Sequence, residues 1–227
     1  NLFEVDTVHN ILNHVERITG KTYGRDHATD VSIRVITDHI RSTVFMVSDG
    51  ILPSNEGRGY VLRRLLRRAA RHGRMLGVTR PFLAELCDTV IRENGGAYPE
   101  LVEHADYIKK TISAEEERFS RTIDQGLNIL SNLIDNIEKA AAEGKRRVLA
   151  GIDAFKLNDT FGFPLDLTKE IAAENGIEVD EDSFRTEMQK QREKARKDRL
   201  SRDISGWTAD LFGALDASAT EFLGYGT

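Results

Sequence analysis

The chain has 227 residues, of which 40% are hydrophobic and 30% are charged, with four prolines and a formal net charge of −5. This composition is typical of a soluble, helix-rich protein and excludes the disordered, fibrous and membrane-spanning classes. The single cysteine, Cys87, excludes an intramolecular disulfide and a multi-thiolate zinc site. Because no signal peptide is visible, we expect a cytoplasmic protein with no membrane partner. The first residue is Asn1 and not a methionine, so we expect this chain to be part of a longer protein.

Apolar residues recur at three- and four-residue steps along most of the chain, which predicts an all-α fold. The expected helices cover approximately residues 2–19, 30–48, 56–73, 82–92, 101–142, 153–157, 166–174 and 184–202, with a turn over 159–164. Ser54 or Asn55 is expected to cap the third of these helices, and Asp180 or Ser183 the last. The Asn94-Gly95-Gly96 turn predicts a boundary between two helical lobes, 1–98 and 99–227. The second lobe is expected to contain one long helix over 101–142 and to end in an irregular tail after Ser205.

Seven arginines and no acid lie between Arg58 and Arg74. On a helix these arginines would lie opposite one apolar stripe, formed by Val61, Leu62, Leu65, Leu66, Ala69 and Ala70. Guanidinium groups stay charged and bind phosphate oxygens in pairs, so the run predicts contacts with an RNA backbone. The side chains expected to make these contacts are Arg58, Arg63, Arg64, Arg67, Arg68 and Arg71.

Two other interpretations of the arginine run stay open. The arginines could form a solvated charged face, although the lack of Glu at i+4 spacing within the run disfavours this. Some of them could instead pair with acids from elsewhere in the fold, and their replacement would then lower stability.

The sequence shows no recognisable catalytic or metal-binding pattern. Gly57-Arg-Gly59 lacks the remaining residues of a nucleotide-binding loop, and His9 and His14 are five residues apart and do not share a helix face. We therefore expect no catalytic residue, no metal and no cofactor in this chain.

Two stretches carry a resemblance to a known family. They are Ile33–Ser42 followed by Asp49–Arg64, with the segment DGILPSNEGRGYVLRR, and Ala154–Thr168, with the segment AFKLNDTFGFPLDLT. Both resemble the alanyl-tRNA synthetases just after their class II catalytic core. In that family this segment is a helical domain that reads the G3·U70 pair of the tRNA acceptor stem.

The resemblance implies a role for two residues. The acceptor-stem-reading Asn and Asp of the family match Asn55 and Asp159. A G·U wobble leaves the guanine amino group unpaired in the minor groove of A-form RNA, where a carboxylate is a suitable acceptor. The alternative is structural, with Asn55 capping the arginine helix and Asp159 capping a turn.

The resemblance also implies a parent protein and its partners. The parent would be an ATP-dependent alanine–tRNA ligase whose ATP and Mg²⁺ bind in a catalytic core outside this chain, so the chain alone is expected to be inactive. Its partners would be the tRNA(Ala) acceptor stem and the catalytic and editing domains of the same protein. The Thr220–Tyr225 tail would approach the editing domain. The alternative function is that of a helical protein-interaction scaffold that uses the long helix.

Overall fold

The computed structural model describes residues 2–206, with side chains as far as Lys197, and confirms the all-α class. A 3₁₀ turn at Leu2–Glu4 precedes the first helix. The helices of the described part are α1 (Asp6–Thr19), α2 (His27–Ser48), α3 (Gly57–Met75), α4 (Leu83–Asn94), α5 (Pro99–Glu103), α6 (Ala105–Ser120), α7 (Ile123–Ala142), α8 (Gly151–Phe161), α9 (Leu165–Glu174) and α10 (Glu181–Gly206). None of them is long and apolar enough to cross a bilayer. Residues 207–227, which include the predicted Thr220–Tyr225 tail, lie outside the described part.

Helix α2 is the centre of the N-terminal group of helices. It packs against α1, α3 and α4 through a fully buried aliphatic stripe that includes Ile33, Ile36 and Ile40. It begins three residues before the predicted start because the Asp26 carboxylate accepts a hydrogen bond from the Thr29 N–H at 2.9 Å and caps the first turn. Asp26 is the last residue of the loop between α1 and α2.

The single long helix predicted over 101–142 is wrong, because the structure divides this stretch into α5, α6 and α7. At the second break the Thr122 hydroxyl donates a hydrogen bond to the Phe161 carbonyl at 2.8 Å. The Phe163 ring lies where a side chain on Gly126 would have to be, so α7 can approach this ring closely. Apolar spacing continues through the break, and for this reason the sequence pattern does not reveal it. The alternative function, a protein-interaction scaffold, relied on that long helix.

Two short strands were not predicted. β1 (Val148–Leu149) pairs in parallel with β2 (Glu178–Val179), and each contains only two residues. This pairing brings the start of α10 beside the start of α8. The Asp180 carboxylate then caps α10 by accepting from the Ser183 N–H at 3.0 Å, as the sequence predicted for Asp180 or Ser183.

Helix α6 belongs to the predicted second lobe, but it contacts helices of the first. It packs against α3 and α4, while α7 packs against α8. The division of the chain at 98/99 stays a prediction.

Candidate functional site

The arginine helix α3 has the predicted amphipathic character, but its apolar stripe is narrower. Leu62, Leu66, Ala69 and Ala70 are buried, whereas Val61 is exposed. The predicted N-cap at Ser54 or Asn55 is wrong, because Glu56 occupies the cap position and no side chain caps the helix.

The turn before α3 has its own hydrogen bonds and very little space. The Ser54 hydroxyl donates to the Glu56 carbonyl at 2.7 Å, and the Ser54 N–H donates to the Gly59 carbonyl at 3.1 Å. A side chain on Gly59 would collide with the Leu52 carbonyl and the Ser54 hydroxyl. Gly57 has a φ of +61°, which other residues rarely adopt. Gly57-Arg-Gly59 therefore shapes the turn that presents Asn55.

Acidic side chains from α6 and α9 cover most of the arginine face. Five of the six arginines expected to contact RNA form ion pairs with them, and the pairs are Arg63–Glu115, Arg64–Asp166, Arg67–Glu115, Arg68–Glu170 and Arg71–Glu174. The expectation of an open arginine face is wrong for Arg67 and Arg71, whose residues are only 7% and 5% exposed. The sequence alternative that some arginines pair with acids from elsewhere in the fold is confirmed.

Arg67 joins three elements. Its Nε and Nη2 donate to Glu115 Oε1 at 2.8 and 2.5 Å, and its Nη1 donates to the Gly162 carbonyl at the end of α8. The guanidinium lies 5.1 Å from the centre of the Phe119 ring. Burial lowers the pKa of Arg67, and the charge of Glu115 opposes that effect. An arginine that has lost most of its hydration needs such partners, so Arg67 serves to hold the fold together.

A second group of charges joins α3 to α9. Arg71 binds Glu174 through both of its terminal nitrogens, at 3.1 and 2.6 Å. Arg68 donates to Glu170 at 2.7 Å and to His39 Nε2 at 2.9 Å. Burial alone would raise the pKa of Glu170, but His72 and the neighbouring arginines hold it at about 2. Glu170 is therefore a carboxylate throughout the physiological range.

The sequence contains a spacing pattern that is consistent with this docking of α9 on α3. Asp166, Glu170 and Glu174 are spaced by four residues, so they line one face of α9. Arg64, Arg68 and Arg71 have the matching helical spacing on α3. Two helices with complementary charges at matching intervals can dock on each other. The spacing alone cannot show whether such faces meet each other or a different partner.

Arg58 differs from the other predicted RNA contacts. It lies in the first turn of α3, is exposed, and has no acidic partner among the described residues. Arg64 is 39% exposed despite its 2.8 Å ion pair with Asp166. These two guanidinium groups are the most accessible of the six.

Asn55 lies in the exposed turn just before α3. Its Oδ1 accepts a hydrogen bond from Arg63 Nη1. An arginine can only donate, so the amide oxygen must face it. The Nδ2 amino group of Asn55 has no acceptor among the described residues and is available as a donor.

The sequence predicted a turn at Asp159, but the structure places this residue in the last turns of α8. Helix α8 ends at Phe161, and Gly162 follows it with a φ of +67°. Asp159 is exposed, and its Oδ1 accepts a hydrogen bond from Gln191 Nε2 of α10. Turn capping is therefore not its role, and the second carboxylate oxygen is left without a partner among the described residues.

Helix α10 contacts both of the segments that carry the predicted reading residues. Gln191 contacts Asp159, and the next residue, Arg192, forms a 2.8 Å ion pair with Glu56, the neighbour of Asn55. Neither Gln191 nor Arg192 was singled out as a contact from the sequence, because their positions depend on how α10 crosses α8. These two segments present an amide donor, on Asn55, and a carboxylate acceptor, on Asp159, at exposed positions. No group of three His, Cys, Asp or Glu side chains in the described part is arranged to hold a metal ion.

Comparison with known proteins gives consistent matches over the whole chain. The family model described as tRNA synthetases class II (A) matches residues 1–227. An alanine–tRNA ligase of Acetivibrio thermocellus is 57% identical over 99% of this chain and 25% of the relative. The alanine–tRNA ligases of Alkaliphilus oremlandii and Clostridioides difficile are each 55% identical, with the same coverage.

The chain spans about a quarter of the length of these curated relatives. The family is nevertheless shown by the match over the entire chain and by identities of 55–57%. This chain belongs to the class II (A) tRNA synthetase family.

Proposed function

We propose that this chain is the part of an alanine–tRNA ligase that recognises the acceptor stem of tRNA(Ala) and its G3·U70 pair. The names of the relatives support the ligase assignment. The observation that carries the recognition role is the pair of contacts that consecutive residues of α10 make, Gln191 with Asp159 and Arg192 with Glu56, the neighbour of Asn55.

The hydrogen-bonding character of the site is complementary to a G·U pair. The minor groove of the pair offers a guanine amino donor and a uracil O2 acceptor. Asp159 has a free acceptor oxygen, and Asn55 has a free amide donor because Arg63 occupies its oxygen. A G·C pair uses the guanine amino group internally, so it offers Asp159 a poorer donor.

The arginines have two different roles in this proposal. The accessible Arg58 and Arg64 contact phosphates, which gives affinity without sequence preference. Arg63 and Arg68 are half-buried and contact RNA only at their exposed edges. Arg67 and Arg71 act on the fold, because their charges are already neutralised inside it. With this division of roles, discrimination between base pairs is left to Asn55 and Asp159.

The remaining chemistry belongs, in this proposal, to other segments of the ligase. ATP and Mg²⁺ would bind in the catalytic core, and the present chain would supply tRNA recognition without catalysis. The core and the editing domain would then act on a tRNA that is already positioned.

The Asp159→Asn variant tests the proposal. It keeps an oxygen for Gln191 but replaces the free acceptor by an amide donor that opposes the guanine amino group. The preference for G3·U70 over G3·C70 should fall by about 1–3 kcal/mol, the usual value of one base-edge contact. The measurement is fluorescence anisotropy of the purified chain with labelled acceptor-stem hairpins that differ only at this pair.

The Asp153→Asn variant is the matched control, because Asp153 lies on the same helix and forms a 3.6 Å ion pair with Lys156. It should leave the preference unchanged. If Asp159→Asn retained the full G·U preference, Asp159 would not be the reading residue.

A further inference from the structure

We propose that Gln191 and Arg192 of α10 are positioning residues, which hold Asp159 and the Asn55 turn in register for the base pair. The inference rests on the proposed function, because it concerns how the two reading residues are kept in place. The structure supports it with two contacts from consecutive residues of one helix to segments more than 100 positions apart.

The packing face of α10 explains why these two side chains meet the site. Phe184 and Met188 pack against the core, and Phe184 lies 6.5 Å from the ring centre of Phe155 on α8. Gln191 and Arg192 follow at the next helical repeats, seven and eight residues after Phe184. The same face therefore changes from apolar to polar where α10 passes Asp159 and Glu56.

The start of α10 is firmly attached to α8. Gly151 lies directly against the Phe184 and Asp180 backbone, where a Cβ would be only 2.2 Å from the Phe184 nitrogen. Residues 189–197 are all exposed. Gln191 and Arg192 make the last side-chain contacts with another element in the part of α10 whose side chains the structure describes. The firm attachment and these two contacts together fix where the helix passes the site.

A neutral amide is a suitable partner for Asp159. Gln191 satisfies one carboxylate oxygen and leaves the charge of the other oxygen available to RNA. An arginine at this position could bind both oxygens and neutralise the acceptor. Gln191 therefore orients Asp159 without competing for the whole carboxylate.

Arg192 acts on the other reading segment. Its ion pair with Glu56 fixes the residue that joins Asn55 to the start of α3. The Arg192 and Glu56 side chains are 63% and 72% exposed, so the pair adds little to stability. Removal of Arg192 should consequently alter the placement of the turn and hardly change the melting temperature.

The experiment compares Gln191→Ala and Arg192→Gln in the purified chain, with the same G3·U70 and G3·C70 hairpins. Each variant should reduce the G·U preference by about threefold to tenfold, a part of what one base-edge contact provides. Both melting temperatures should stay close to that of the unaltered chain. Arg192→Lys, which keeps a positive charge for Glu56, should restore most of the preference.

Two controls separate positioning from charge and from helix effects. Arg196→Gln removes the same charge from an exposed arginine that has no partner outside α10 among the described residues, so it should affect both hairpins equally. Gln189→Ala removes only a hydrogen bond to Glu193 within the helix. Neither control should change the preference.

The outcomes distinguish this inference from the proposed function. If Asp159→Asn loses the preference while Gln191→Ala and Arg192→Gln keep it, the positioning role is overturned and the proposed function stands. If Asp159→Asn keeps the preference, the proposed function fails and the inference fails with it. If Arg192→Gln and Arg196→Gln each weakened the binding of both hairpins equally, Arg192 would be assigned to phosphate contact and its positioning role would be overturned. A large fall in melting temperature confined to Gln191→Ala and Arg192→Gln would make their role structural and also overturn the inference.

Discussion

At the scale of single residues, Glu116 shows how one buried carboxyl joins two helices. It is 3% exposed, and its two oxygens accept hydrogen bonds from the Phe82 and Leu83 N–H groups, each at 2.9 Å. Helix α4 has no side-chain cap of its own, so Glu116 of α6 caps it from a distance in sequence. Burial raises the pKa of Glu116 to about 7, against the lowering effect of these hydrogen bonds.

The raised pKa of Glu116 predicts a loss of stability as the pH rises. The folded chain binds this proton more tightly than the unfolded chain, whose Glu116 has an ordinary pKa of 4.5. The contribution is complete below pH 4.5 and is lost as the pH rises through about 7, by roughly 3 kcal/mol in total. Urea unfolding at pH 5 and pH 8 measures it.

The Glu116→Gln variant should not show this part of the pH dependence, because Gln does not titrate. Glu117→Gln, at the exposed neighbouring position, should retain it. A pH dependence that is the same with and without Glu116 would contradict the assignment.

At the scale of secondary-structure elements, α3 supports the turn that carries Asn55 and the end of α8, near Asp159. Arg63 contacts Asn55 and Glu115, and Arg67 contacts Glu115 and the Gly162 carbonyl just after α8. Glu115 is 2% exposed, so its charge depends on these arginines. The arginine helix therefore organises the site from within, in addition to any contact with RNA.

Arg67→Gln should lower the free energy of unfolding by about 1–3 kcal/mol, the usual cost of leaving buried hydrogen-bonding groups unsatisfied, because Arg63 and Arg118 still neutralise Glu115. Urea denaturation at neutral pH measures this change. Arg58→Gln removes the same charge from the exposed start of the same helix and should change stability by about 0.5 kcal/mol or less. Equal stability of the two variants would show that the Arg67–Glu115 pair does not support the fold.

At the scale of the whole molecule, the proposed RNA binding by a chain of net charge −5 requires a local positive surface. Most of the arginine charge on α3 is neutralised by α6 and α9. The positive charge that remains available for phosphates lies at the accessible start of α3, around Arg58, which is three residues after Asn55. In the proposed function, affinity for RNA and discrimination between base pairs would then come from neighbouring parts of the chain.

Arg58→Gln should reduce the slope of log K against log salt concentration by about one unit, because one phosphate contact is lost. Arg71→Gln, measured at a temperature where the variant is still folded, should leave the slope unchanged. Anisotropy titrations of one acceptor-stem hairpin at several salt concentrations supply both slopes. A reduced slope for Arg71→Gln would mean that the buried arginine reaches RNA after all.

Local patterns were sufficient for much of the fold. The apolar period located the helices, and Asp180 as a cap of α10 was predicted correctly, because both signals involve residues within one or two turns of each other. The breaks that separate α5, α6 and α7 were missed, since the contacts of Thr122 and Gly126 involve α8 and the segment after it. The two-residue strands were missed for the same reason.

The sequence by itself determined the family resemblance, the helical class and the residue types available for recognition. Only the tertiary structure decided which charges are free, because a guanidinium opposite an apolar stripe has the same local pattern whether it meets phosphate or an acid from another helix. It also decided that Asp159 lies on α8 with Gln191 as its partner, and that Arg192 reaches the neighbour of Asn55. Such contacts depend on the packing angles between helices, which are set by the sum of many side-chain contacts and not by any one segment.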